Sequence, residues 1–269
     1  MENKIFGFIG TGNMGGALAA AVAKRTAPAS VLLANRTRAK AEALAKTLGC
    51  AVAENAEAAQ RADYIFLGVK PQGMRELLAS LSDVFRARTD RFVLVTMAAG
   101  LTVKTIREMA GGDYPVARIM PNTPAAVGEG VILYAADGLT GEEDASLRDA
   151  LSGAGQVIVL PEEKIDAGSA LSGCGPAFVC MMIEALADGA VACGLPRALA
   201  LSAAAQTMKG TASLMLETGK HPGALKDEVC SPGGSTIEGV RTLEEGALRA
   251  SCIDAVIAAY EKTKALGKQ

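Results

Sequence analysis

Residues 5–15 read Ile5-Phe6-Gly7-Phe8-Ile9-Gly10-Thr11-Gly12-Asn13-Met14-Gly15, and this stretch decides the fold of the first part of the chain. The apolar run that ends at Ile9 predicts a buried strand, and the alanine-rich segment after Gly15 predicts a helix. A G-x-G-x-x-G turn between a strand and a helix is typical of dinucleotide-binding folds. The stretch therefore predicts an α/β domain that binds a dinucleotide.

Each glycine of the motif has its own expected role. Gly10 makes the tight turn, Gly12 lets the backbone approach a pyrophosphate, and Gly15 packs the helix against the strand. The positive end of the helix then favours the anion. We expect the cofactor phosphates to contact Gly10, Thr11, Gly12, Asn13, Met14 and Gly15.

The end of the second strand indicates which dinucleotide is bound. Folds that bind NAD usually carry an acid there, which accepts from the ribose 2′-hydroxyl. Here Val31–Ala34 is followed by Asn35-Arg36-Thr37-Arg38, without an acid. Because guanidinium matches phosphate in charge and geometry, this pattern favours NADP(H), with NAD(H) as a second option. In the alternative interpretation, both arginines are only solvent-exposed residues at the start of a helix and bind no ligand.

Strands and helices alternate up to about residue 160, which predicts a parallel, doubly wound sheet. Ligands of such sheets bind beyond the carboxyl ends of the strands, where Gly10, Lys70, Met97 and Asn122 all fall. The further predicted strands are 64–69, 92–96, 116–120, 131–134 and 156–160, and the predicted helices are 38–48, 75–81 and 103–109.

The pattern changes at Pro161. Helical spacing dominates 162–194, 197–218 and 243–266, which predicts an all-helical second domain over 162–269 after a dinucleotide-binding domain over 1–161. So much apolar helix surface is hard to bury in one copy of about a hundred residues. A two-fold symmetric homodimer is therefore expected.

Composition excludes several functional classes. The formal net charge is −2, which gives no basic field for nucleic acid or anionic lipid. The six cysteines form no C-x-x-C pair and there is one histidine, so no metal site is expected and the thiols should be reduced and buried. No leader sequence is evident, and Glu184 and Asp188 interrupt the apolar run 177–195, which argues against a membrane span. The protein is expected in the cytoplasm.

A second motif lies in the helical part, within His221–Thr236. Its core is Ser231-Pro232-Gly233-Gly234-Ser235-Thr236, ahead of an apolar helix. Pro232 stops a preceding helix, the two glycines leave backbone N–H groups accessible, and Ser235 and Thr236 suit a helix cap. Such a concave set of donors at a helix N-terminus can hold a carboxylate, although the same six residues also fit an ordinary loop with a helix cap.

The chain resembles the pyrroline-5-carboxylate reductase family along essentially its whole length. Two small departures are Cys174, where the family often has Ser, and Ser235, where it often has Thr or Ala. The resemblance rests on 8–15, Val69-Lys70-Pro71, Ala98-Ala99-Gly100, Met120-Pro121-Asn122-Thr123-Pro124, 171–178, Gly194-Leu195-Pro196 and 221–236.

The resemblance implies NAD(P)H-dependent reduction of a cyclic imine, 1-pyrroline-5-carboxylate, to L-proline. It also implies a Rossmann domain, a helical dimerisation domain and, in some members, rings of dimers. Asn122 and the loop Ser231, Gly233, Gly234, Ser235 and Thr236 would bind the substrate, with Thr236 as the catalytic residue bonded to the ring nitrogen. The cofactor would be lined by Asn13, Met14, Asn35, Arg36, Thr37, Asn55, Val69, Lys70 and Pro71, with Met97, Ala98 and Ala99 on the nicotinamide side.

Two other functions remain open. One is a β-hydroxyacid dehydrogenase or another imine reductase, although such dehydrogenases carry a lysine where Val179 stands. The other is an NADP-binding regulator without turnover. Lys70 is expected to contact the cofactor, or else to be a solvated lysine at a strand end. His221 is expected to start a helix or brace the loop rather than to act as the acid.

Overall fold

The computed structural model describes residues 4–266, and its contacts divide the chain into two compact units. Of the described residues, one unit comprises those up to Gly173 together with those from Tyr260 to Leu266, and the other is Cys174–Ala259. The boundary predicted after Pro161 lies before this division, because the helix Ile165–Ser172 packs on the sheet of the first unit. The domains 1–161 and 162–269 stay a prediction, and their residues 1–3 and 267–269 lie outside the described part.

Among the described residues, the first unit contains one sheet of eight strands. They are β1 (Phe6–Ile9), β2 (Val31–Ala34), β3 (Ala51–Val52), β4 (Tyr64–Leu67), β5 (Val93–Thr96), β6 (Val116–Pro121), β7 (Gly130–Asp137) and β8 (Gly155–Val159). Their spatial order is β3-β2-β1-β4-β5-β6-β7-β8. The order changes direction at β1, so the crevice for a ligand is expected beyond the end of this strand.

The helices of the described chain follow the strands and then continue alone. Those of the first unit that lie between strands are α1 (Asn13–Arg25), α2 (Arg38–Leu48), α3 (Asn55–Arg61), α4 (Pro71–Ala87), α5 (Val103–Ala110) and α6 (Gly141–Ser152). After β8 come α7 (Ile165–Ser172), α8 (Gly175–Ala192), α9 (Arg197–Thr218), α10 (Pro222–Val229), α11 (Ser235–Glu245) and α12 (Leu248–Leu266).

Both faces of the sheet are buried, which explains why β1, β2, β4 and β5 are continuous apolar runs. One core cluster joins the sheet to α1, α2 and α6, and the other joins it to α3, α4 and α5. The rings of Phe8 and Phe66 stack across β1 and β4, with centroids 4.2 Å apart. This packing fixes the central strands, whose carboxyl ends carry the glycine motif and the neighbouring loops.

The expectation of a parallel sheet holds for β1–β6 but is wrong for β7 and β8, which both run in the opposite direction. β7 runs antiparallel to β6, whereas the other neighbouring pairs are parallel. The chain between them holds only the 3₁₀ turn Thr123–Val127, and a parallel return needs a crossover of a dozen or more residues. Hydrophobic periodicity carries no information on strand direction, so this feature was missed.

Hydrophobic periodicity also failed to predict several short or exposed elements. β3, α3 and α6 were not predicted, although Thr140 and Glu143 form a capping box at the start of α6 that the sequence displays as T-x-x-E. The segment 162–194 is interrupted after α7 at Gly173, and 243–266 is interrupted at Gly246, before Ala247 with φ +55°. These breaks divide two predicted long helices into shorter ones.

The second unit has little core of its own. α8 packs against α9, and the buried residues of their contact are small: Ala187, Ala200 and Ala204. The exposed large apolar side chains of this unit are Val179, Met181, Leu186, Leu199, Leu201, Leu214, Met215, Leu216, Val229, Leu243, Leu248, Ile253 and Ile257. Apolar area of this extent marks an interaction surface.

This exposed surface bears on two expectations from the sequence, that no segment spans a membrane and that the thiols are buried. The helical stretch Glu162–Ala192 is long and apolar enough to cross a membrane, with mean hydropathy 1.6 and 11% of its most apolar window buried. Buried helices of other proteins pass the same test by length and composition. The expectation of buried thiols is wrong for the single chain, because Cys180 and Cys193 are exposed and the other four cysteines are half-buried.

Candidate active site

Two glycines of the first motif are required by the packing of the protein itself. Gly10 has φ +102°, and a Cβ there would lie 2.6 Å from the carbonyl oxygen of Gly68. A Cβ on Gly15 would lie 2.1 Å from the carbonyl oxygen of Gly10. The turn, β1 and α1 therefore approach too closely for any side chain at these positions.

Gly12 differs, because among the described residues no atom outside Gly12, its two chain neighbours and the adjoining helix backbone lies within 4 Å of the place of its Cβ. It is the N-cap of α1, which has no side-chain cap and no acid in its first turn, so the amides of that turn can receive an anion. Beside it, Thr11 Oγ1 is buried without a hydrogen-bond partner among residues 4–266. An open glycine, an uncapped helix and an unused hydroxyl fit a phosphate group.

The loop after β2 is tied to this motif. Asn35 Oδ1 accepts from Thr11 N at 3.1 Å, and Asn35 Nδ2 donates to Thr37 O at 3.0 Å. Arg38 is paired with Glu42 at 2.9 Å and Glu54 at 2.6 Å.

These partners affect the two arginines differently. The hydrogen bonds and charge of Glu42, followed by those of Glu54, raise the pKa of Arg38 above its ordinary value. Arg36 is exposed and has no ion-pair partner within residues 4–266, so its guanidinium is available to a ligand. Of the two arginines, the structure leaves Arg36 for the predicted contact with a 2′-phosphate.

Other predicted cofactor residues follow the carboxyl ends of neighbouring strands. Asn55 begins α3 after β3, and Val69-Lys70-Pro71 leads from β4 into α4, with Lys70 exposed at the N-cap. Met97–Ala99 follows β5, with Ala98 buried and Met97 half-buried. Because β3, β2, β1, β4 and β5 are consecutive in the sheet, these segments share one edge with the glycine motif.

Asn122 has a structural task that the sequence did not reveal. It is buried, its Nδ2 donates to Ser172 O at 2.9 Å, and its Oδ1 accepts from Val131 N at 2.9 Å. These bonds hold the end of α7 and the start of β7. Its predicted contact with substrate would have to use the remaining donor and acceptor of the amide.

The substrate loop of the second unit has the expected turn but a different cap. Gly233 has φ +68°, and Gly234 N donates to Ser231 O at 3.0 Å. Gly234, rather than Ser235 or Thr236, is the N-cap of α11. The expectation that Ser235 or Thr236 caps this helix was wrong, because Gly234 itself adopts the extended backbone conformation of an N-cap residue.

This cap leaves the donors of the loop available. α11 has no side-chain cap, so the amides of its first turn and the hydroxyls of Ser235 and Thr236 remain for a ligand. Ser235 and Thr236 are exposed, and Gly234 is half-buried. This arrangement can receive a carboxylate with backbone and hydroxyl donors together.

His221 is a helix cap, as the sequence indicated. Its Nδ1 accepts from Gly223 N at 3.1 Å at the start of α10. Val179 lies in α8, the first long helix after the sheet, where a β-hydroxyacid dehydrogenase carries its lysine. Within the described part of the chain, no group of three or more His, Cys, Asp or Glu side chains could hold a metal ion.

Comparisons with family models and with known proteins find matches in both the N-terminal and the C-terminal parts of the chain. A family model described as pyrroline-5-carboxylate reductase dimerisation matches residues 162–266. A second model, described as NADP oxidoreductase, coenzyme F420-dependent, matches residues 5–100. The chain is also 42% identical over 272 residues to the pyrroline-5-carboxylate reductase of Escherichia coli K12, covering 100% of both sequences.

Solved structures show the same fold over nearly the full length. The pyrroline-5-carboxylate reductase of Coxiella burnetii matches with a TM-score of 0.91 and 30% identity, covering 98% of this chain and 99% of the other. The Plasmodium falciparum pyrroline carboxylate reductase with NADP bound matches with a TM-score of 0.86 and 31% identity, covering 99% of each.

Proposed function

The chain belongs to the pyrroline-5-carboxylate reductase family, and on this premise we propose that it reduces 1-pyrroline-5-carboxylate to L-proline with NADPH, the last step of proline biosynthesis. The observation that carries the proposal is the 42% identity to a reductase of this name over the entire chain. Family membership confirms the resemblance inferred from the sequence motifs. It also makes the protein an oxidoreductase that acts on a carbon–nitrogen bond.

The residues around the first motif fit NADPH. The uncapped N-terminus of α1, the open position at Gly12 and the unused Thr11 hydroxyl would hold the pyrophosphate. Arg36 would hold the 2′-phosphate, since its guanidinium is unpaired in the described chain. The bound cofactor supplies the hydride that converts the imine carbon to an amine carbon.

The loop before α11 is the proposed seat of the substrate. The first-turn amides of α11 bind the substrate carboxylate, with Ser231, Gly233, Gly234 and Ser235 around it. Thr236 donates a hydrogen bond to the neutral imine nitrogen or relays the proton that this nitrogen takes up, and once the nitrogen is protonated its N–H donates to Thr236 Oγ1. Thr236 is then the catalytic residue, because the bond acts on the atom whose charge changes during reduction.

The reaction does not require a strong acid from the protein. A cyclic imine is basic enough to be protonated near neutral pH, and the protonated imine is already an electrophile. Orientation and a hydrogen bond to the nitrogen then matter more than a strong acid. His221 is not needed as an acid in this reaction. Its Nδ1 accepts from Gly223 N as a helix cap, and proton transfer through that nitrogen would break the cap.

The proposal also includes a homodimer. The matched dimerisation model and the exposed apolar residues of the second unit support a homodimer whose helices cover each other. The apolar stretch Glu162–Ala192 would then face the second copy, with Glu184 and Asp188 interrupting it. A ring of such dimers is a further proposal from the family resemblance. The cytoplasmic location expected from the sequence stays a prediction.

An assay of the purified full chain tests the proposed reaction. NADPH oxidation is followed by absorbance while L-proline is measured in the same sample, with 1-pyrroline-5-carboxylate as substrate. Stoichiometric formation of proline is expected. NADPH binding without turnover would instead support a regulator, and oxidation of a β-hydroxyacid with NADP would support the dehydrogenase alternative.

A further inference from the structure

A charged side chain lies inside the sheet, apart from the groups that the proposed reaction uses. Arg118 in β6 is in register with Thr96, the last residue of β5, and is only 2% exposed. Its Nε has no hydrogen-bond partner within residues 4–266. Because an apolar residue is often at least as stabilising as a buried ion pair, stability alone does not explain the arginine.

The guanidinium of Arg118 joins two carboxylates that precede or begin α7. Its Nη2 lies 2.6 Å from Asp166 Oδ1, and its Nη1 lies 3.5 Å from Glu162 Oε1. The same Oε1 of Glu162 accepts from Val103 N at 2.7 Å, at the first residue of α5. A carboxylate at a helix N-terminus is favourable, so Glu162 bridges the arginine and α5.

Separate contacts hold the two ends of the loop between β5 and α5, residues 97–102. Thr96, which neighbours Arg118, ends β5, and its Oγ1 accepts from Ala98 N at 3.3 Å inside the loop. At the other end, Glu162 fixes Val103. The loop contains Met97–Ala99, which the proposed function places on the nicotinamide side of the cofactor.

We infer that Arg118 and Glu162 form a positioning pair that holds the loop 97–102 in the conformation needed for hydride transfer. The inference rests on the proposed function for the identity of the reaction. It assigns neither residue to contact with substrate or cofactor. The pair acts through the backbone of α5, and its loss should alter orientation more than cofactor affinity.

Two matched variants of the full chain separate positioning from structural support. Glu162→Ala and Asp166→Ala each remove one carboxylate from Arg118, and the two side chains are 31% and 34% exposed. Only Glu162 reaches Val103 N. Glu162→Ala should accelerate hydrogen exchange at the Val103 amide by about tenfold or more, whereas Asp166→Ala should leave it within about twofold.

Steady-state kinetics provide the second measurement. Glu162→Ala should lower kcat about tenfold, because a small displacement of a positioning element is costly, while KM for NADPH stays within about twofold. Asp166→Ala should keep kcat within about twofold. Glu162→Gln should recover most of the exchange protection and the turnover, because its amide oxygen can still accept from Val103 N.

Three results would overturn the inference. Equal exchange at Val103 in the two alanine variants would show that Glu162 does not hold the loop. Equal losses of kcat would indicate general destabilisation. Faster exchange with unchanged kcat would show that the loop conformation does not matter to the reaction. Failure of the wild-type chain to form proline would contradict the proposed function instead, and the exchange comparison would still decide whether the pair holds the loop.

Discussion

Asn35 Oδ1 accepts a hydrogen bond from the backbone amide of Thr11 at 3.1 Å. This bond joins the glycine turn after β1 to the loop after β2, so the proposed pyrophosphate site and the proposed 2′-phosphate site belong to one hydrogen-bonded unit. Arg36 follows Asn35 directly and is exposed. Cofactor affinity and the choice between NADPH and NADH are therefore expected to respond to different residues of the same structure.

Replacement of Arg36 tests the choice of cofactor. Arg36→Ala should raise KM for NADPH roughly tenfold to a hundredfold and leave KM for NADH unchanged, because a charge-assisted bond contributes about 1.5–3 kcal/mol. Arg38→Ala is the matched control, since Arg38 is already paired with Glu42 and Glu54. Equal increases in KM for NADPH and NADH in Arg36→Ala would contradict the assignment of Arg36 to the 2′-phosphate.

Alanine at Gly12 and at Gly15 should separate ligand binding from folding. Gly12 has φ −68° and open space at its Cβ, so Gly12→Ala should keep its melting temperature but bind NADPH weakly. In Gly15→Ala the new methyl group would meet Gly10 O at 2.1 Å, so this variant should unfold at a lower temperature. Thermal unfolding and fluorescence titration with NADPH measure the two effects. Equal destabilisation of both variants would refute the ligand role of Gly12.

Variants of Thr236 test the proposed catalytic hydrogen bond. Thr236→Ala should lower kcat more than it weakens NADPH binding, because the bond is strongest as the ring nitrogen changes charge, and Thr236→Ser should retain most of the turnover. His221→Ala is the contrast, with a loss of about 1 kcal/mol in stability from the missing cap and near-normal kcat. A folded His221→Ala protein with kcat about a thousandfold lower, beside a near-normal Thr236→Ala, would identify His221 as the proton donor.

Valine at Gly234 tests the carboxylate seat. A Cβ there would lie 2.4 Å from Ser231 Oγ, so Gly234→Val should displace that hydroxyl and fill the concave side of the loop. KM for 1-pyrroline-5-carboxylate should rise steeply and inhibition by L-proline should disappear, while NADPH affinity stays the same. Retained inhibition by proline would place the carboxylate elsewhere.

Charged substitutions on the second unit test assembly. Leu216 and Met181 are 72% and 69% exposed in the single chain, and we expect a second copy to cover them. Leu216→Glu or Met181→Glu should shift the full chain from dimer towards monomer in sedimentation experiments, because burial of an unpaired carboxylate is costly. Val127→Glu is the control, at a residue of the first unit that is 74% exposed. Dimers of undiminished stability in both variants would exclude these side chains from the interface.

Acid stability should depend on Glu143. Partial burial opposes its ionisation, but hydrogen bonds from Arg91 and the Thr140 amide outweigh burial and hold its pKa below the ordinary value. Its stabilising contribution is thus complete above the unfolded-state pKa of about 4.3 and is lost as the pH falls through the lowered folded-state pKa. Glu143→Gln should reduce the free energy of unfolding at pH 7 and flatten its decline between about pH 5 and 2. An unchanged pH profile in chemical denaturation would contradict this.

Several features were already determined by the sequence. Strands such as Phe6–Ile9 and Val31–Ala34 were predicted because buried parallel strands must be apolar on both faces. The glycine motif predicted the turn because a φ of +102° and an approach of 2.1 Å admit only glycine at Gly10 and Gly15. The family was recognisable from motifs spread over the chain, and the comparisons confirm it.

The tertiary structure decided what depends on partners distant in sequence. The direction of β7, the pairing of Arg38 beside an unpaired Arg36, and the engagement of Asn122 with Ser172 and Val131 all follow from contacts that local pattern does not encode. Arg118 is the clearest case, because in the sequence it is one charge within an apolar strand. Only the fold brings Glu162 and Asp166 to it, since ion pairs form between side chains that packing makes neighbours.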